Sequence, residues 1–119
     1  MTPLVVLGTL VAGSVGAVVR YVIQERLSAR PAPWTAVLFV NSAGSALAGG
    51  VLALPQTALT EILVVGFAGA LTTFSTLVLQ LVKTPSGPPV TVLLGRGALH
   101  IAGAVGGAWV AFHIVSLIG

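Results

Sequence analysis

Between residues 66 and 76 the chain reads GFAGALTTFST. Thr72, Thr73, Ser75 and Thr76 follow Gly66 and Gly69, so four hydroxyls fall within five residues. A lone Ser or Thr in an apolar helix bonds its own carbonyl one turn back. Four of them behind two glycines need another reason. Glycine weakens a helix, so the run predicts a break near Gly69 to Thr72. A broken helix exposes carbonyl oxygens that ligate a cation and half-helix N-termini that favour an anion. These residues therefore point to an ion site. Asn41, about a third of the way into another apolar stretch, offers two amide donors and an acceptor. That set suits either an inter-helix hydrogen bond or a surface facing a pore or ligand. Arg20 reads most simply as a side chain snorkelling to an interface. Arg96 and His100 are one helical turn apart and share a face, which suits snorkelling or a polar contact between helices. His113, close to the last residue, reads as interfacial.

The elements that position these groups follow from composition. The 119 residues are 56% hydrophobic and 6% charged, with a mean hydropathy of +1.11. A soluble domain carries about 25% charged residues, so this chain cannot cover its own surface in water, and lipid is its expected solvent. Four stretches are long enough to cross a hydrocarbon core of about 30 Å: about 3–23, 34–54, 58–82 and 90–118. QERLSARPAP, PQTALTE and the proline-rich KTPSGPP separate them. The expectation is an all-α membrane protein with one four-helix transmembrane domain over 1–119 and a broken third helix. Irregular backbone at that depth survives only where it is buried in protein or lines a cavity, which strengthens the reading of 66–76 as a site.

Several function classes drop out. There is no cysteine, hence no disulfide framework, thiol nucleophile or cysteine metal site. Neither a serine–base pair nor a phosphate loop is present, so an enzyme is the weakest reading. The basic balance rests on five Lys and Arg against two acids and is no nucleic-acid signature. Met1-Thr2-Pro3 offers no basic region of the kind a cleavable signal peptide needs. Glu25 and Glu61, both expected in loops, leave no intramembrane carboxylate to carry protons.

Four helices make a bundle too thin to enclose a water-lined path alone, so oligomerisation is expected. Small residues that let helices approach in lipid are abundant. Gly13, Gly16 and Arg20 share one face; Ser42, Ser45 and Gly49 share another, beside Asn41, Gly44 and Ala48. Gly103, Gly106 and Gly107 mark the fourth helix. Arg26, Arg30 and Lys83 lie in the first and third connections, with Arg20 and Arg96 near the same side. By the positive-inside rule these connections are cytoplasmic and both termini outside.

Three segments resemble the Fluc (CrcB) family of fluoride channels. AGSVGAVVRY (12–21) is similar to that family's glycine-rich first-helix motif, and FVNSAGSALAGG (39–50) to its segment around a pore asparagine. GFAGALTTFSTL (66–77) resembles its third-helix signature and is the most specific of the three. The resemblance implies an antiparallel, dual-topology-type dimer in the plasma (inner) membrane, with two narrow pores. It also implies a structural sodium ion at the dimer interface, held by the backbone carbonyls of Gly69 and Thr72. Asn41 and Phe74 match the fluoride-facing asparagine and the first pore phenylalanine. Ser75 and Thr76 match hydroxyls of the polar track, and Arg20 matches the first-helix arginine. The implied activity is passive export of cytoplasmic fluoride, which lowers its toxicity. The chemistry suits that ion: fluoride is tightly hydrated and needs replacement donors, and a phenyl ring has a positive edge that touches an anion without holding it too firmly to leave.

The chain also departs from the family's pattern. Leu77 stands where a second pore phenylalanine is usual, and HIAGAVGGAWVA (100–111) contains no hydroxyl. Arg96 and His100 are unexpected. Together with the one-sided basic residues, these departures favour a heterodimer with an oppositely oriented paralogue, in which this chain is a non-conducting or partly conducting subunit, over a homodimer with relaxed pore chemistry. Two rival classes are a small multidrug-type proton-coupled exporter, which lacks its carboxylate here, and a non-transporting accessory subunit.

Overall fold

The computed structural model describes residues 1–28, 34–82 and 84–119, with Ser28 and Ser75 described by their backbone alone. Among these residues, four helical stretches are long and apolar enough to cross a membrane. Helix α1 spans Pro3–Ser28 and α2 spans Trp34–Leu52. The third stretch is composite: α3 (Ala58–Glu61), a π-helical segment (Ile62–Ala68), α4 (Gly69–Leu71) and, past a break, α5 (Ser75–Leu81). Helix α6 spans Val90–Ile118. At 29 residues it is about 43 Å long, more than the hydrocarbon thickness, so it tilts or projects beyond it.

The boundaries have local causes. Helix α1 continues past the expected end at residue 23, because Gln24, Glu25, Arg26 and Leu27 are good helix formers with no glycine or proline among them. Glu25 is thus helical rather than in a loop, and Glu61 closes α3. Helix α2 stops two residues before the expected 54. Ala53 and Leu54 instead turn back, donating to the carbonyls of Gly50 (3.2 Å) and Val51 (3.0 Å), since a residue preceding proline is biased away from the helical region. The start of α3 is fixed by a reciprocal cap: the Thr57 amide donates to Thr60 Oγ1 at 2.7 Å and the Thr60 amide to Thr57 Oγ1 at 3.4 Å. Arg30 and Lys83, two of the five residues behind the orientation expected above, lie outside the described residues.

Helix α2 packs along α6 on one side and meets the third stretch on the other, while α1 lies against the π-helical segment and α4. The two small-residue faces of α2 thus serve different neighbours. A Cβ at Gly49 would overlap the backbone of Ala108 in α6, whereas one at Gly44 would sit 2.6 Å from Thr72 Cγ2 at the break. The enclosed apolar core is small: among the described residues, Val37 and Val40 are the largest side chains wholly removed from the surface. Large apolar side chains such as Leu4, Leu79, Leu94, Ile101 and Leu117 point outward instead. In water such a surface would drive association; in lipid it is the solvated face.

Candidate functional site

The break comes where the hydroxyl run predicts it, shifted slightly toward the C-terminus. Leu71 ends α4, Thr72 is extended (φ −80°, ψ 157°), and the helix resumes at Ser75. Extended backbone at this depth leaves amide and carbonyl groups without helical partners, and each must be met from elsewhere. Four side chains do this.

Asn41, 8% exposed on α2, reaches across to Thr73. Its Nδ2 donates to the Thr73 carbonyl at 2.9 Å, and its Oδ1 accepts from the Thr73 amide at 2.6 Å. The side chain thereby imitates a neighbouring strand. Asn41 forms the inter-helix hydrogen bond, to the backbone of the break, and it also lines a cleft. One of its two amide hydrogens stays uncommitted by these contacts. Arg20 does not simply snorkel, because its Nη1 donates to the Thr72 carbonyl at 3.2 Å. Thr73 Oγ1 accepts from the Thr76 amide at 3.4 Å and donates to Thr76 Oγ1 at 3.2 Å, capping the start of α5. Thr72 Oγ1 in turn donates to the Gly69 carbonyl at 3.1 Å.

Beside the break lies a cleft of about 500 Å³ between α2, α5 and α6, lined among others by Asn41, Thr72, Thr73, Phe74, Leu77 and His100. The Phe74 side chain is 77% exposed, a rim position with little packing to hold it. Leu77 occupies the same wall one turn on. Of the sequence-predicted pathway residues, the structure brings Asn41 and Phe74 to the cleft. Thr76 faces Thr73, and Arg20 braces the break through the Thr72 carbonyl. The side chain of Ser75 lies outside what is described.

Two features escaped sequence reasoning. The segment Ile62–Ala68 is π-helical, a rare geometry that is frequent at functional sites. His100 is buried, at 5% exposure, against the cleft, whereas Arg96 behaves as a polar contact between helices, with its guanidinium carbon 4.9 Å from the centroid of the Trp34 ring. The short-range signal for His100 was present, a histidine within an apolar run, but its spacing to Arg96 suggested a shared interfacial face. His113 is exposed near the end of α6, with Nδ1 2.8 Å from the Trp109 carbonyl oxygen.

Comparison with known proteins bears on this geometry. The family model described as CrcB-like protein, Camphor Resistance (CrcB), matches residues 7–112, which include α2, the break and most of α6. The chain belongs to the CrcB family. Among curated members, it is 33% identical over 113 residues to "Fluoride-specific ion channel FluC 1" of Nocardia farcinica (strain IFM 10152), covering 92% of this chain and 79% of that protein. It is 34% identical over 125 residues to "Fluoride-specific ion channel FluC 2" of Mycobacterium tuberculosis (strain ATCC 25618 / H37Rv), covering 93% of this chain and 94% of that protein. The FluC 2 of Mycobacterium bovis (strain ATCC BAA-935 / AF2122/97) matches to the same extent. Four membrane-crossing stretches and CrcB membership make this chain a multi-pass membrane protein.

Proposed function

We propose that the chain is a fluoride-selective channel of the plasma membrane that lets cytoplasmic fluoride leave passively. The observation that carries this reading is the Asn41–Thr73 pair. It holds the third stretch open beside a cleft that offers an amide hydrogen and a phenyl ring. These are the groups that can replace a small anion's water without a fixed cation to trap it. The names of the curated relatives support the same ion. Asn41 and Phe74 contact fluoride directly, Ser75 and Thr76 extend the polar track, and Arg20 positions the break through the Thr72 carbonyl. No carboxylate sits in the middle of any span, which weighs against proton-coupled exchange.

The sodium ion belongs to the same proposal. Hard cations take oxygen ligands, and the Gly69 and Thr72 carbonyls flank the break. Each accepts one hydrogen bond from within the chain and keeps a second lone pair. Gly69 is exposed on the face of α4, and its α-carbon has little but the Val64 carbonyl near it. Two carbonyls are half a coordination shell; a second, antiparallel subunit completes it. The bound ion would add positive potential near the anion path and fix the shape of the break.

Purified protein in liposomes, with fluoride efflux followed by an electrode, tests the reading. Efflux is expected without a proton gradient, and chloride is expected not to replace fluoride. If the chain is one half of a heterodimer, efflux appears on adding its paralogue. Flux that requires a proton gradient, or none with either assembly, would reject the channel.

A further inference from the structure

Among the described residues, Thr9, Gln24, Gln80 and His100 each have an enclosed side-chain polar atom without a hydrogen-bond partner, and of these His100 lines the cleft. It sits on α6, 5% exposed, and its ring lines the cleft beside Asn41, Thr73 and Phe74. Its Nδ1 is enclosed and has no hydrogen-bond partner. A buried N–H is left orphaned more rarely than an acceptor, so a neutral ring keeps its proton on Nε2, and Nδ1 lacks the partner that buried polar atoms almost always have. The elements across the cleft do not supply it: among the described residues, neither α2 nor α5 carries an ionisable side chain. Arg96, one turn away on α6, is engaged over the Trp34 ring. The stretch 100–111 has no hydroxyl, so within it His100 is the one side chain before Trp109 that can donate a hydrogen bond.

We propose that His100 is an anion-contacting residue of the channel, donating an imidazole N–H to the ion from α6, opposite the Asn41 amide. A neutral imidazole has one donor and one acceptor nitrogen. With Nδ1 sealed and unpartnered, Nε2 carries the proton toward the cleft. The ion then meets donors from two walls, Asn41 of α2 and His100 of α6, with Phe74 at the rim. A neutral N–H replaces one water of the hydration shell yet supplies no fixed charge, so the ion is dehydrated without being held.

This assignment rests on the channel reading, and two measurements separate their fates. In the assembly that conducts, His100→Leu is expected to reduce fluoride efflux about tenfold, the effect of one lost hydrogen bond to a charged species, while the oligomer stays intact. His100→Gln, which retains an N–H donor, is expected to keep most of the flux. The second measurement needs no flux. In imidazole-15N-labelled protein, fluoride titration is expected to shift one histidine resonance that chloride leaves in place. That resonance is assigned to His100 by its loss in His100→Gln and not in a His113 variant. Wild-type flux with no fluoride-dependent histidine shift overturns the role of His100 and leaves the channel standing. Absence of wild-type flux overturns the channel, and the histidine shift then decides the contact alone. Equal flux in His100→Leu and wild type also overturns it.

Discussion

At the scale of single residues, the candidate site divides into groups that hold the backbone and groups proposed to meet the ion, and the two are expected to respond differently to truncation. Asn41 does both. Removing its amide leaves the Thr73 N–H and C=O unpaired in the bundle, at about 1–3 kcal/mol for each stranded group. Phe74, 77% exposed at the rim, supports nothing that its loss would unfold. Asn41→Ala is therefore expected to lower both the thermal midpoint in detergent and the fluoride flux. Phe74→Ala is expected to reduce flux at least tenfold, while stability changes by less than about 0.5 kcal/mol, as for other surface truncations. Paired melting and electrode measurements check this. Equal stability losses in the two variants would mean that Phe74 is a packing residue. Arg20 falls on the holding side: its guanidinium meets the Thr72 carbonyl, so a variant there should disturb the break before it disturbs the ion.

At the scale of elements, the decisive contact is the seam between α2 and α6. An added methyl at Gly49 meets Ala108 backbone, which has no rotamer to yield, whereas one at Gly106 meets nothing within 4 Å. Gly49→Ala is expected to destabilise the bundle by about 1–3 kcal/mol, the usual penalty of overpacking. Gly106→Ala is expected to be neutral or slightly stabilising, since alanine is the better helix former. Chemical unfolding in detergent distinguishes them. Both glycines stand in stripes visible in the sequence, so the pattern alone gives the faces and not the distances. The same limit explains what else was and was not legible. Four spans and a break in the third follow from apolar run lengths and from four clustered hydroxyls behind glycines. The partner of Asn41 does not, because helical periodicity assigns a side chain to a face without naming the backbone group opposite. The π-helical segment Ile62–Ala68 leaves no trace in composition: ILVVGFA is simply apolar, and nothing in it marks the face that lies against α1. The burial of His100 is a similar case, since its spacing to Arg96 suits either snorkelling or a polar contact between helices and does not choose between them.

At the scale of the whole molecule, the question is how a one-sided chain would form the proposed two-fold ion site. Two carbonyls from one break fill half a shell, so the sodium proposal requires a second copy of the break brought face to face in the opposite sense. Replacing sodium by a large organic cation is expected to slow or abolish fluoride flux, and returning sodium to restore it; flux indifferent to the exchange would remove the ion from the design. Antiparallel pairing then sets a demand on insertion. A chain that pairs with itself must enter the membrane both ways up, yet all five basic residues favour one side, and the bias of Lys and Arg in short connections governs orientation. The chain has no cysteine, so single reporters are clean. Thr2→Cys near the first residue and Ser86→Cys in the third connection report opposite sides. In intact cells, a membrane-impermeant thiol reagent is expected to label Thr2→Cys fully and Ser86→Cys hardly at all. That outcome means a fixed orientation, and the second half of the ion site must come from a different, inverted chain. Equal half-labelling at both positions would instead mean that the chain inserts both ways and completes the site with its own copy, despite the charge bias.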